Sequence, residues 1–254
     1  MPAPINKFKQ RMLAGDVLFG CWLSLADIGA AEIMGTMGFD WVLVDGEHAP
    51  NDVRSIREQL IALSASDSAP LVRVPVGDSR IIKQVLDIGA QTIVVPMVES
   101  AKQARDLVRA CHYPPNGMRG VGASSTRSSR FAWHSDYVRT ADEQICLVVQ
   151  IESKAGVAAL DEILAVDGVD GVFIGPADLS ADMGFHGVST GPQVQEVITD
   201  VLTKTVAAGK LAGIMSLDDG TQNYVDQGAR MLAVAIDVNL LKQAAVETVK
   251  RWIR

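Results

Sequence analysis

Two carboxylates, one arginine and one histidine carry the chemistry legible in this sequence. Glu152 follows the apolar run Cys146–Ile151, and Asp178 follows the run Gly171–Ile174 by way of Gly175-Pro176-Ala177. If those runs are neighbouring parallel strands, both carboxylates face one mouth. Two carboxylates that leave the remaining positions to water and substrate suit Mg2+ or Mn2+, hard ions that prefer oxygen. A plainer reading stays open, in which Glu152 pairs with Lys154 and Asp178 caps a turn. Arg73 interrupts the apolar residues 71–74, where a guanidinium is costly to bury without an anion. Either Asp45 or Glu47 neutralises it, or it stabilises negative charge developing on a bound oxygen. His48 ends Asp45-Gly46-Glu47-His48. It is either a surface residue or, as an imidazole, an acid or base acting directly or through water.

The segment Gly175-Pro176-Ala177-Asp178 adds a backbone feature. Opening a helical turn, it directs the N–H groups of Ala177 and Asp178 towards the mouth, where a carboxylate binds them. Trp22, at the end of another apolar run, is a pocket wall or simply core. A metal, an anion nest and an arginine together suit a small 2-oxo acid that chelates through its carboxylate and keto oxygens. Polarising the keto group makes the α-proton removable and gives an enolate.

The elements that must position these groups follow a repeating pattern of apolar run, polar residue and helical stretch. Apolar runs fall at residues 18–23, 41–44, 71–74, 92–95, 147–151, 171–174, 211–215 and 231–235. Continuous runs such as Trp41-Val42-Leu43-Val44 are expected of strands buried on both faces. Helices are predicted over 30–37, from an Asn51 cap, from Asp78 to a stop at Gly89, from Ser100, over 155–164, from Thr190 and Pro192, from Asp218 and from Asp237. About eight βα units with no composition shift predict one (β/α)8 TIM barrel over 1–254, its active site at the strand C-termini. Residues 113–134 break the pattern with Pro, Gly, Ser and Arg. They are expected to form an ordered loop at the active mouth, Arg119, Arg127 and Arg130 folding over an anion, with a solvated surface loop as the alternative.

Bulk properties narrow the class. The chain has 254 residues, nearly half of them apolar, and a formal charge of −7. That charge argues against a broad nucleic-acid surface. No apolar run approaches the roughly 20 residues of a membrane helix, and the N-terminus lacks the apolar core of a secretion signal, so a cytoplasmic location is expected. Cys21, Cys111 and Cys146 are widely spaced among apolar residues and suggest neither disulfides nor a thiolate cluster.

Several blocks, in order, resemble a known family: Phe39-Asp40-Trp41 through Asp45-Gly46-Glu47-His48-Ala49-Pro50, Leu71-Val72-Arg73-Val74-Pro75, Val95-Pro96-Met97-Val98, Tyr113-Pro114-Pro115 with Arg119-Gly120-Val121-Gly122, Gln150-Ile151-Glu152, and Asp170 through Ser180. They look like the metal-dependent class II pyruvate aldolases of the HpcH/HpaI family, 4-hydroxy-2-oxoheptanedioate aldolase type. The resemblance implies a (β/α)8 barrel, usually hexameric, that exchanges its C-terminal helix between subunits. It makes Glu152 and Asp178 ligands of Mg2+, Mn2+ or Co2+ and Arg73 the enolate-stabilising cation. His48 becomes a general base acting through water held by the metal and supported by Asp87, a role for Asp87 that rests on the resemblance alone.

In the same family-based reading Gln150 lies beside the bound oxo acid, and Trp22, the backbone of Gly175, Pro176 and Ala177, and Met215 on the acceptor side complete the expected substrate site. Arg119 and Arg127 border the aldehyde, in the same or an adjacent subunit. The reaction implied is reversible cleavage of a 4-hydroxy-2-oxo acid to pyruvate, or a related 2-oxo acid such as hydroxypyruvate, and an aldehyde. The partners implied are small molecules and further copies of the chain, with no nucleic acid and no membrane. The rival readings are an acyl-CoA lyase of the malyl or citryl type and a non-catalytic metabolite-binding barrel.

Overall fold

A computed structural model describes residues 1–186 and 188–253. Its eight parallel strands close in chain order into a barrel: β1 (Leu18–Leu23), β2 (Trp41–Asp45), β3 (Ala69–Arg73), β4 (Thr92–Val95), β5 (Cys146–Ile151), β6 (Gly171–Ile174), β7 (Leu211–Met215) and β8 (Met231–Ile236). Around it run α1 (Lys7–Leu13), α2 (Ile28–Thr36), α3 (Val53–Ala62), α4 (Ser79–Asp87), α5 (Ala101–Cys111), α6 (Tyr137–Thr140), α7 (Lys154–Ala158), α8 (Leu160–Leu164), α9 (Pro176–Asp182), α10 (Pro192–Ala207), α11 (Thr221–Asp226) and α12 (Asp237–Trp252). This is the predicted (β/α)8 barrel. None of the described helices is long and apolar enough to cross a membrane.

Strand alternation divides the apolar side chains into two sets. Val42, Val44, Val72, Ile93, Val149 and Val172 face the helices, whereas Leu18, Trp22, Trp41, Leu43, Leu71, Val148 and Phe173 fill the barrel. Helix α1 was not foreseen. Its Phe8 and Met12 join the interior set, and Lys9 pairs with Asp170 at 3.0 Å, so the helix closes the end where the strands begin. Gly20 lies where an added Cβ would enter the Trp41 indole, whose Nε1 is held on the Leu18 carbonyl at 3.1 Å. Gly20→Ala is therefore expected to cost about 1–3 kcal/mol by overpacking. Its urea midpoint, compared with that of the parent, measures the loss.

Caps mostly stand where the sequence puts them. Asp78 and Ser100 accept backbone N–H bonds at the starts of α4 and α5, and Gly89 takes φ +106° beyond α4. Three differences concern the site. Asp52 caps α3, not Asn51, because Asn51 donates to the Asp45 carbonyl at 2.7 Å and braces the end of β2. β3 starts and ends earlier than predicted, so Arg73 is its last residue and reaches the rim. The predicted helix over 155–164 is two short ones, α7 and α8, meeting at Ala159.

The irregular stretch 113–134 corrects an expectation. It joins α5 to β5, and every helix-to-strand connection lies at the end of the barrel where strands begin. Arg127 donates there to the Leu60 and Ile88 carbonyls at 3.2 and 3.0 Å, near the ends of α3 and α4. Within its own chain the loop does not cover the active mouth.

Candidate active site

Parallel pairing brings the catalytic candidates together. β2 and β3 pair with Asp45 opposite Arg73, and β5 and β6 pair with Ile151 opposite Ile174. Asp45 and Arg73 thus end adjacent strands, and Glu152 and Gly175 leave another adjacent pair. The Arg73 Nε and Nη2 donate to the two Asp45 carboxylate oxygens at 2.8 and 2.7 Å, and Nη1 lies 2.9 Å from Glu47 Oε2. Asp45 and Glu47 therefore both neutralise Arg73. Burial alone would raise the Asp45 pKa, but the two Arg73 bonds and its charge hold it below the usual carboxylate range. Trp22 is buried with its ring 4.9 Å from the guanidinium carbon and 5.4 Å from Phe173. It is core and, on its upper edge, the floor beneath Arg73.

Glu152 is the most unusual group. It makes no bond to Lys154: its Oε1 accepts from the Met97 N–H at 2.9 Å and its Oε2 from Gln150 Nε2 at 2.8 Å. Burial pushes its pKa up to about 7; the Met97 N–H opposes the rise, and the charges of Asp178 and Glu47 add to it. Glu47 is likewise raised, by burial first, with Arg73 opposing. A side chain at Gly175 would collide with the Glu152 carboxylate, which explains a glycine there. Asp178 is exposed in the first turn of α9 and makes no side-chain hydrogen bond or ion pair among the described residues, so it is not a turn cap. Gly175 precedes α9, Pro176 is its first residue, and among the described residues no side chain caps it, leaving the N–H groups of Ala177 and Asp178 open.

The remaining candidates divide. His48 is 67 % exposed on the loop after β2, its Nε2 4.0 Å from Glu47 Oε2. Met215 ends β7 and packs on the interior set. Gln150 is buried, and its Oε1 has no donor among the described residues. Asp87 is not beside His48: it ends α4 at the opposite end of the barrel and pairs with the buried Arg119 at 2.8 Å. Arg119 lies 4.5 Å from the Tyr113 ring centroid, so within the chain it is a structural cation and borders no mouth. Sequence reading gave no role to the Met97 backbone. A main-chain donor leaves no trace in residue types beyond Val95-Pro96-Met97-Val98.

A (β/α)8 barrel with buried carboxylates and an ion-paired arginine at the C-terminal ends of its strands has the layout of a barrel enzyme. The profile of the HpcH/HpaI aldolase/citrate lyase family matches residues 18–244. The chain belongs to that family. A hydroxypyruvate/pyruvate aldolase of Roseovarius nubinhibens is 56 % identical over 99 % of this chain and 98 % of its own. A 4-hydroxy-2-oxovalerate aldolase of Rhodococcus jostii is 48 % identical over 95 % and 93 %. A family member from Burkholderia cenocepacia has a crystal structure that superposes with a TM-score of 0.93 at 37 % identity, covering 97 % of this chain and 98 % of that one.

Proposed function

We propose that the protein is a divalent-metal-dependent aldolase that reversibly cleaves 4-hydroxy-2-oxo acids into an aldehyde and pyruvate or hydroxypyruvate, acting in the cytoplasm. One observation carries the reading: Glu152 and Asp178, neither with a cationic partner of its own among the described residues, share a mouth with Arg73. The names of the two relatives support the substrate class.

The residues fit a hard cation. Glu152 is buried among like charges that a cation would neutralise, and both of its oxygens are already oriented. No group of three potential metal-ligating side chains lies together among the described residues. Glu152 and Asp178 would therefore hold the ion alone and leave its other positions to water and substrate, which Mg2+, Mn2+ and Co2+ accept. When bound, the ion supplies charge that polarises the keto group of a 2-oxo acid.

The chain's own groups do the rest. The N–H groups of Ala177 and Asp178 bind the substrate carboxylate. His48 takes the proton of the C4 hydroxyl, the C3–C4 bond breaks, and the aldehyde leaves. Arg73 stabilises the negative charge left on the enolate oxygen, and protonation at C3 completes the 2-oxo acid. Asp87 is out of reach of His48 in the same chain, so the support that the family resemblance assigns to it comes from another copy.

The test incubates purified protein with pyruvate or hydroxypyruvate, a panel of aldehydes, and Mg2+, Mn2+ or Co2+ in turn. Metal-dependent carbon–carbon bond formation is expected. Full activity after exhaustive chelation would sink the metal mechanism, and cleavage of an acyl-CoA ester with none of a 4-hydroxy-2-oxo acid would reverse the substrate class.

The proposal includes a homo-oligomer, a hexamer with α12 exchanged between subunits. Every described residue of α12 from Leu241 onward is exposed, including Val246, Val249 and Trp252. A helix with that much uncovered apolar surface needs a partner. Deleting residues 241–254 is expected to reduce the mass measured by light scattering to that of smaller species, and an unchanged mass would remove α12 from the interface.

A further inference from the structure

We infer that Met97 is a positioning residue, whose left-handed backbone aims its N–H at Glu152 and so fixes the carboxylate proposed to hold the metal. The inference deepens the metal-dependent reading above and rests on it.

Met97 follows β4 and has φ +53°, a region that side-chain-bearing residues seldom adopt. Burial does not force it there, because the residue is 44 % exposed. What the conformation achieves is visible in two successive amides. The Met97 N–H donates to Glu152 Oε1 at 2.9 Å, and the Val98 N–H donates to the Gln150 carbonyl at 3.2 Å. With the first peptide plane set on Glu152, the left-handed turn lets the next N–H meet the same neighbouring strand.

The turn is held from both sides. Gln103 Nε2 donates to the Met97 carbonyl at 3.1 Å, while its Oε1 accepts from the Glu99 N–H at 2.9 Å. Ser153 Oγ, next to Glu152, bonds Glu99 Oε1 at 2.6 Å. Local strain of this kind persists where the surroundings over-determine it, and here they tie β4's exit to β5's. The Gln150 amide fixes the other oxygen of Glu152. Both oxygens are then set before any cation arrives, so ordering the ligand costs little on binding.

The test is a calorimetric titration of the full-length protein with Mn2+, using the parent, Met97→Gly, Met97→Thr and Met97→Ile. Glycine accepts positive φ freely and keeps the N–H, whereas a β-branched residue resists positive φ most. Met97→Ile is expected to weaken Mn2+ binding about ten-fold, equivalent to ~1.4 kcal/mol. Met97→Gly should stay within about three-fold of the parent, with the smaller β-branched Met97→Thr between them. Thermal midpoints in chelator show whether each variant is folded, and should Met97→Ile fail to fold, threonine against glycine decides. A parent-like affinity in the isoleucine variant, or in the threonine variant where it stands in, overturns the assignment, as does a glycine variant as weak as either. A parent that takes no Mn2+ overturns the metal reading itself and this assignment with it.

Discussion

Arg73→Ala is expected to lower kcat for cleavage of a 4-hydroxy-2-oxo acid by about 10²–10³-fold, the usual loss when one preorganised donor to a developing oxyanion is removed. In the proposed reaction negative charge builds on the enolate oxygen, and Arg73 sits at the rim with a geometry fixed by Asp45 and Glu47. That fixing has a second consequence. Asp45 is 1 % exposed, so removing its partner strands a buried charge, at a cost of about 3–5 kcal/mol. Arg73→Lys separates the two effects. It keeps the charge but loses the planar fork on Asp45, so the fold should recover more than the rate. Exchange of pyruvate methyl protons with deuterated water reads the enolisation step without an aldehyde. If that exchange is absent in the parent as well as in the variants, the enzyme reading fails. If it is as fast in Arg73→Ala as in the parent, Arg73 has no part in the chemistry.

The second large effect has opposite signs for activity and for stability. Glu152→Gln should abolish Mn2+ binding in the working range, at least about 10²-fold weaker, and reduce turnover to background. The metal-free variant should nevertheless be more stable than the parent at pH 8. Glu152 has its folded pKa raised to about 7 by burial first and by Asp178 and Glu47. An acid with a raised folded pKa binds its proton more tightly when folded, so its contribution is present at low pH. It is lost as pH rises from the ordinary value of 4.5 to about 7. The loss is at most about 3 kcal/mol at 1.36 kcal/mol per unit, and a neutral amide avoids it. Urea unfolding of both proteins in chelator at pH 5 and pH 8 checks the sign: the gap should be wide at pH 8 and close at pH 5. Mn2+ affinity of the parent should fall as pH drops below about 7, because the proton on Glu152 must leave first. A glutamine variant less stable than the parent at pH 8 would show that Glu152 contributes to the fold as a carboxylate.

Most of the barrel is legible in the chain because its strands are buried on both faces. Such strands read as short unbroken apolar runs, and predicted and observed bounds agree at β1, β4, β6 and β7. Helix starts at Asp78 and Ser100 are legible for a different reason: a short polar side chain before an apolar-periodic stretch satisfies N–H groups that nothing else reaches. α1 carries such a cap, Asn6 accepting from the Lys9 N–H at 3.0 Å, but its two buried residues, Phe8 and Met12, are too few to set a period. Composition alone misplaces residues 113–134 within the chain. Arginines among glycines suggest anion binding, yet the alternation of strand and helix assigns that connection to the far end of the barrel, where Arg127 bonds two carbonyls near helix ends and Arg119 pairs with Asp87.

The sequence by itself determined the inventory of the candidate site. Glu152, Asp178 and His48 each follow an apolar run and Arg73 interrupts one near its end, and in a parallel barrel every such position opens on the same end. Only the tertiary structure decided how they are held. Whether Arg73 pairs with Asp45 depends on the register between β2 and β3, which sets two residues far apart in the chain side by side. Whether Glu152 is poised for a cation depends on its burial, on like charges from the loop after β2 and from α9, and on a main-chain N–H whose direction no side chain encodes. Asp87 lies at the other end because a helix runs antiparallel to the strand before it, so residues at its two ends cannot serve one mouth in one chain. Residue type names a group that can do chemistry, whereas register, burial and backbone direction decide what surrounds it, and in this barrel all three arise from contacts distant in sequence.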